Sequence, residues 1–483
     1  MEEAYIGIDV GTQGLKAVVI NPMGRVLMTT FSEYPTSSVN IAWTEQQPGD
    51  WERALSTALN VIARENLTLS WKAIGITGQM HTTVVCDADG NPLRPAILWS
   101  DQRAASYAGQ LESRYGLEHL LDVTGNKPLT NFSALRLLWI RDQERHLYEQ
   151  IRHVAVAKDW MRFRLTRQWG SEVSDASGTY LLNVKNRQWA TDFMTSLDIS
   201  PDWWGPVSES IHVAGTMQFG PPIFHGLPVV AGAGDQAASA IGTGLGVGEL
   251  GISLGTSGVL FWPLDHYQLP PHPSIHAFCH AEQETWHWMS VTQSAALSLR
   301  WLRDQFYAGE PYALLDKDAA DSPPGSDGLI FLPYLNGERA PIMQPHARGG
   351  FLGISSTHRR AHFARAVLEG VAYSLKHCYT TMNPQGTMTP RRLIMTGGGA
   401  KSSLWTQIVA DVMGQEVWVV DDPGAAVGAA WLARLGVLNQ VERMPLQNAT
   451  VVRPGFQQDI YSTGFARYER LIDRLIPLWA DSD

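Results

Sequence analysis

"YIGIDVGTQGLKAVVI", Tyr5 to Ile20, is two apolar runs of strand character joined by a glycine-rich bend, with one carboxylate, Asp9, just before the bend. Gly11 and Gly14 permit a tight turn. Small residues there expose backbone N–H groups, to which Thr12 and Gln13 can add side-chain donors, making a cradle for phosphate oxygens. Half a chain later the pattern returns as "GISLGTSGVLFW", Gly251 to Trp262. Ser253 now stands where Asp9 stood, and Gly255-Thr256-Ser257-Gly258 replaces Gly11-Thr12-Gln13-Gly14. Two such cradles could grip a polyphosphate from both sides. The recurrence, with the acid in one copy only, predicts a duplicated nucleotide-binding fold with one metal-binding side.

The bulk numbers agree with a duplicated soluble chain. A length of 483 residues suits two domains, each with its own core. Hydrophobic residues at 44% and charged residues at 17% are globular values, and no apolar run is long enough to span a bilayer. The start "MEEAY" lacks the basic and apolar regions of a secretory signal. Only three cysteines occur, scattered at Cys86, Cys279 and Cys378, which fits a reducing compartment without a disulfide framework. The expected location is the cytoplasm. A net charge of -10 offers no basic stripe, so nucleic acid is not an expected partner, and neither is a membrane. The 18 tryptophans are read mainly as core.

Strand and helix patterns alternate through both halves, which indicates an α/β architecture. "KAIGITGQM" and "PAILWS" read as strands, and "DQRAASYAGQLESRYG" as a helix capped by Asp101 and stopped by Gly116. "LPVVAGAGDQAASAIGTG" reads as strand, glycine turn and short helix. "IHAFCHA" and "WHWMSV" read as a strand pair across "EQET". A long helix, "RRAHFARAVLEGVAYSLKHCYTTM", precedes the strand "RRLIMTGGG" and a helix from about Ser402 to Met413. Glycines cluster in "GTGLGVGELG", Gly242 to Gly251, which marks the domain boundary and a hinge. The expected domains are 1–244 and 245–483.

Several motifs are excluded by context. No GK dipeptide occurs, so the Walker-type phosphate loop is absent. "GVGELG" precedes a strand instead of opening a helix, and fails as a dinucleotide fingerprint. His276, Cys279 and His280 lack a second ligand pair at zinc-site spacing and read as strand positions. Asp9 ends a buried strand, where a carboxylate calls for a donor or a cation. Hydrated Mg²⁺ suits it, because that ion takes few carboxylates and keeps several waters. Asp235 follows a strand at the mouth of a helix, and the residues alone leave a helix cap and a proton-accepting base both open.

The pair "GIDVGTQGLK" and "SLGTSG", with "GAGDQAASA", "FLPYLNGERAP", "MTGGGAKSSLW" and "GAAVGAAWLA", resembles the FGGY carbohydrate kinases of the actin/hexokinase ATPase superfamily over nearly the whole chain. The resemblance implies two ribonuclease-H-like domains with a cleft between them, and ATP and Mg²⁺ as cofactors. Asp235 would be the base and Asp9 the metal residue. Gly11, Thr12, Gln13, Gly14, Lys16, Gly255, Thr256 and Ser257 would meet the phosphates, and Gly398, Gly399 and Ser403 the adenosine side in the second domain. Within the family "GQMH", "AWTEQQPGDW", "LWSDQR" and "HAFCH" look most like the xylulokinase branch, which implies D-xylulose as acceptor and Met80, His81, Asp235 and Gln236 as sugar contacts. Two residues depart from that branch: Thr82 stands where it usually has Gly, and Gln236 where it usually has Asn. Another ketose, a polyol or a sugar acid is therefore the alternative substrate. An actin-like binding module is a more distant reading, and a homodimer is an assembly left open. Roles for Asp101, Arg103 and Glu338 are unassigned.

Overall fold

The computed structural model describes residues 1–480 apart from 41, 66 and 67. Glu3–Val10 and Gly14–Ile20 pair antiparallel, with Asp9 opposite Lys16, and Val26–Glu33 extends the meander. On its other edge Glu3–Val10 runs parallel to Ser70–Gly78, which in turn runs parallel to Pro228–Val230 and Ala233–Gly234. The second sheet repeats this plan. Trp286–Thr292, Gly258–Leu264 and Leu250–Leu254 are antiparallel neighbours, followed by the parallel strands Leu393–Thr396 and Val417–Val419. The duplication legible in two hairpins thus extends to two whole sheets.

Period-two alternation assigns the faces of the first strand. Ile6, Ile8 and Val10 pack with Trp51, Leu55, Leu59 and Ile62 of the helix Pro48–Glu65. Tyr5, Gly7 and Asp9 alternate onto the opposite face, where Tyr5 joins the core of the helix Ala425–Leu438. That helix comes from the far end of the chain yet lies on the first sheet. Its seat is a pair of glycines, Gly7 and Gly75, side by side in adjacent strands. A β-carbon at Gly7 would stand 1.8 Å from the Ala426 carbonyl oxygen, and one at Gly75 1.8 Å from that of Ala429. Only glycine allows so close an approach.

Most expected elements form: Asp235–Gly242, Arg360–Met382 and Ser403–Met413 are helices, and His276–Cys279 pairs with Trp286–Thr292. "PAILWS" shortens to the two-residue strand Ala96–Ile97. Asp101 does not cap the next helix, which starts at Ala105 without a side-chain cap. Its carboxylate is taken instead by Arg103, through Nε at 2.8 Å and Nη2 at 2.8 Å, and by the Thr44 amide. Arg103 in turn stacks on Trp43, 4.3 Å from the ring centroid. A paired guanidinium is a stronger partner than a frayed helix end. The glycine-rich segment 242–251 carries the chain from the Asp235 helix into the second hairpin. Among the described residues no helix is long and apolar enough to cross a membrane, and all three cysteines are free and buried.

Candidate active site

Both hairpin bends turn their carbonyls inward. In the first, the Tyr34 hydroxyl donates to Gly11 O, the Gln46 amide to Thr12 O at 2.7 Å, and the Tyr34 N–H to Gln13 O at 3.5 Å. In the second, the opening amides of the helix Ala296–Phe306 do the same work: Ala296 donates to Gly255 O at 2.8 Å, and Ala295 and Leu297 to Thr256 O at 3.0 and 3.1 Å. Among the described residues the amides of Thr12, Gln13, Thr256 and Ser257 donate to no protein group. Four free N–H groups on two half-exposed bends are what an anion-binding pair requires. The Thr12 hydroxyl departs from expectation. It accepts from Trp99 Nε1 at 3.0 Å and donates to Gln79 Oε1 at 3.3 Å, so its proton is spent within the protein and only its amide faces an anion.

Asp9 is half-buried, and its Oδ1 is sealed with no hydrogen-bond partner among the described residues. Burial pushes its pKa up to about 6, against the pull of the Lys16 ammonium. A half-buried carboxylate two residues before the first bend, with its Oδ2 not sealed, fits a hydrated divalent cation. Lys16 reaches the start of the Ala425–Leu438 helix, its Nζ 3.3 Å from where a Gly424 β-carbon would stand.

Asp235 is the first residue of its helix, not the cap, which is Gly234. The turn before it is forced by Gly232 at φ 78°, where a β-carbon would lie 1.7 Å from Ile76 O. Gly234 is pinned by its amide, which donates to Ser174 Oγ at 3.0 Å. Asp235 Oδ1 accepts from the Gln236 amide at 2.8 Å. A helix N-terminus alone would keep this acid ionised at neutral pH. Burial and the nearby Asp9 charge outweigh it and raise the pKa to about 7. Poised near neutrality, Asp235 can both take and release a proton.

Met80 packs against Gly234, where a β-carbon would meet its Cγ at 2.8 Å, so the "GQMH" turn lies directly beside Asp235. His81 follows at φ 67°, its Nδ1 2.7 Å from Gly178 O. Its ring meets Phe132 edge-on at 5.4 Å and Phe278 at 6.2 Å, the latter from the second sheet. Thr82 is fully buried, its hydroxyl without a partner among the described residues. Gln236 lines an open cleft of about 650 Å³ with Ser239, Thr243, Ser253, Thr396 and Asp422.

The third glycine cluster follows directly on Thr396 of the cleft lining. Gly397 and Gly399 are packing residues, since β-carbons there would meet Leu254 at 2.8 and 2.5 Å. Gly398 faces open space. Ser403 is exposed at the start of its helix, and Ser402 is the residue that caps it, accepting from the Trp405 amide at 3.1 Å. His276 and His280 are buried among aromatic rings, and no group of metal-binding side chains forms among the described residues. Glu338 accepts from Thr292 Oγ1 and the amides of Gln293 and Arg339, while burial raises its pKa to about 7. Sequence reasoning passed over Arg136 and Ser133, both of which donate to the His81 carbonyl. Their signal was a buried arginine on an otherwise apolar helix, "SALRLLWI".

Duplicated sheets, each with a hairpin bend of free amides, and an acid next to the cleft residue Gln236 are the plan of a kinase of the actin/hexokinase type. The chain belongs to the FGGY family of carbohydrate kinases, whose N-terminal domain matches residues 4–242 and whose C-terminal domain matches residues 250–436. It is 35% identical to the xylulose kinase of Escherichia coli (strain K12), over 99% of this chain and 100% of that protein. It is 29% identical to the gluconokinase of Bacillus subtilis (strain 168), over 87% of this chain and 84% of that protein. The crystal structure of a xyloylose kinase from Brucella ovis matches with a TM-score of 0.92 at 31% identity, over 99% of this chain and 100% of that one. The protein is therefore a sugar phosphotransferase, and ATP with Mg²⁺ is the cofactor pair of its family.

Proposed function

We propose that the chain phosphorylates D-xylulose to D-xylulose 5-phosphate. The observation that supports this reading is the contact of Met80 with Gly234, which brings the "GQMH" turn beside Asp235, the neighbour of the cleft residue Gln236. Likeness to xylulose kinases over nearly the full chain supports it.

On this reading the acceptor hydroxyl gives its proton to Asp235 as its oxygen bonds to the γ-phosphorus. The bond from that phosphorus to the β,γ-bridging oxygen breaks, and ADP leaves. Phosphoryl transfer needs mainly positioning and charge neutralisation. The amides of Thr12, Gln13, Thr256 and Ser257 hold the phosphates, with Lys16 beside them. Asp9 would hold Mg²⁺, which when bound supplies countercharge to the phosphates. Gly398 and Ser403 face the adenosine, and Gln236 the sugar. The chain divides into 1–244 for the sugar and 245–483 for the adenosine, and the cleft closes about 242–251. Three free cysteines fit a cytoplasmic setting.

A coupled ADP-release assay across ketoses, polyols and sugar acids tests the substrate. D-xylulose is expected to give the highest kcat/KM. A tenfold preference for another compound would leave the kinase reading in place and remove this sugar. Gluconate belongs in the panel, because the gluconokinase likeness spans most of the chain.

A further inference from the structure

His81 holds a backbone conformation that side chains rarely adopt, φ 67°, at the centre of the turn beside Asp235. Such strain persists only where the surroundings over-determine it. Here they do so twice. The His81 carbonyl accepts from Arg136 Nη1 at 2.8 Å, Ser133 Oγ at 3.0 Å and Thr83 Oγ1 at 3.1 Å. The ring is fixed separately by the contact of Nδ1 with Gly178 O. A β-carbon at Gly178 would stand 2.7 Å from that nitrogen, so no side chain fits between them.

Arg136 is the unusual member of this set. It is completely buried, Nη1 also donates to Asn131 O at 2.7 Å, and Nε and Nη2 have no partner among the described residues. An incompletely satisfied buried guanidinium is costly. Its defined contacts are the His81 and Asn131 carbonyls, the first of which anchors the strained turn.

The fixed ring has a definite polarity. A carbonyl oxygen only accepts, so Nδ1 carries the proton. Apolar rings, Phe132 and Phe278, surround the imidazole and disfavour a second proton. Burial accordingly drives its pKa down to about 3 despite the Gly178 contact, and the charges of Arg136 and Arg339 push the same way. Among the described residues Nε2 has no hydrogen-bond partner, and the residue keeps 8% of its surface exposed.

We propose that Arg136 is a positioning residue for sugar recognition: by holding the His81 carbonyl it fixes the strained turn that carries the imidazole, and with the ring made an acceptor by its Gly178 contact, bare Nε2 is held to receive a hydrogen bond from a hydroxyl of the acceptor sugar. This rests on the reading that His81 faces the sugar. It adds a chemical requirement to that reading, because the group at this point must be a donor. An ionised carboxylate, which only accepts, is repelled there.

Two measurements separate this proposal from the choice of sugar. Two-bond proton–nitrogen correlation spectra of the ¹⁵N-histidine-labelled enzyme, with His81→Gln assigning the signal, should show a pyrrole-like Nδ1 and a pyridine-like Nε2 before any sugar is added. The opposite tautomer or an imidazolium at neutral pH would overturn the proposal whatever the substrate proves to be. In kinetics with the best sugar of the panel, Arg136→Met should raise the sugar KM roughly tenfold, the scale of one lost hydrogen bond. The ATP KM should stay within about twofold, and Arg136→Lys, which keeps a donor, should recover most of the loss. Ser133→Ala removes a second donor from the same carbonyl and carries the test if Arg136→Met does not fold. Equal rises in both KM values for whichever variant folds would assign these residues to general structure and overturn the positioning role.

Discussion

Asp9 and Asp235 flank a single strand. Asp9 is level with Thr77 of Ser70–Gly78 on one side, and Ala233, two residues before Asp235, is level with the same Thr77 on the other. Two strand spacings of ~4.8 Å put Asp9 and Ala233 about 10 Å apart, close enough for the Asp9 charge to act on Asp235. That arrangement gives the two acids different tasks. Asp235→Asn keeps the shape and removes the basicity, so kcat should fall by roughly the 10²–10⁴ of general-base loss. Mg-nucleotide affinity, measured by calorimetric titration, should barely move. Near-normal turnover would dismiss the proton-acceptor role.

The raised pKa of Asp235 also makes a stability claim. The folded chain holds this proton more tightly than the unfolded chain, whose carboxyl titrates near 3.8. Stability from this group is therefore greatest below about pH 4 and declines as pH rises toward 7. At pH 8 the ionised carboxylate is a liability that Asp235→Asn removes. The variant should be more stable than wild type there by on the order of 2 kcal/mol, after allowance for partial exposure of the side chain. At pH 4 the two should nearly coincide. Melting curves at both pH values check the sign, and a variant less stable at pH 8 would contradict it.

How far the sequence carried this picture depends on the range of the interaction involved. The hairpins, Asp9 and Asp235 were legible because each is a local pattern of glycine, acid and strand. The seat of the helix Ala425–Leu438 was not, because "GAAVGAAWLA" says only that the helix is small on several sides, while Gly7 and Gly75 supply the reason from the other end of the chain. Thr12 looked like a phosphate donor until Trp99 and Gln79, distant in sequence, took both capacities of its hydroxyl. The raised pKa of Asp235 has the same cause: the helix start is visible in sequence, but the burial that outweighs it is tertiary.

For Asp9 the expectation concerns metal. Asp9→Asn keeps the side-chain volume and discards the charge, so the Mg²⁺ concentration for half-maximal rate should rise several-fold at fixed ATP, and kcat should fall with it. A second consequence follows from the geometry. Removing the Asp9 charge relieves Asp235, so the acidic limb of the kcat/KM profile should move to lower pH. An unchanged Mg²⁺ dependence would show that the Asp9 carboxylate serves some other partner.

The glycine seat yields the most direct test of the architecture. Gly75→Ala would drive a β-carbon to 1.8 Å from Ala429 O. The helix cannot simply retreat, because Gly428 on another of its sides already approaches Ala238 O so closely that a β-carbon there would lie at 1.7 Å. Backbone wedged between two backbones has no rotamer with which to yield. The cost should therefore reach or exceed the top of the ~1–3 kcal/mol range of overpacking, seen as a large fall in Tm or as loss of soluble protein. Gly398→Ala is the matched control. It faces open space, so its Tm should stay near wild type, while a new methyl at the proposed adenosine face should raise the ATP KM. If Gly75→Ala melts with wild type, the seat is softer than its geometry implies, and the helix is held on the first sheet chiefly by other contacts.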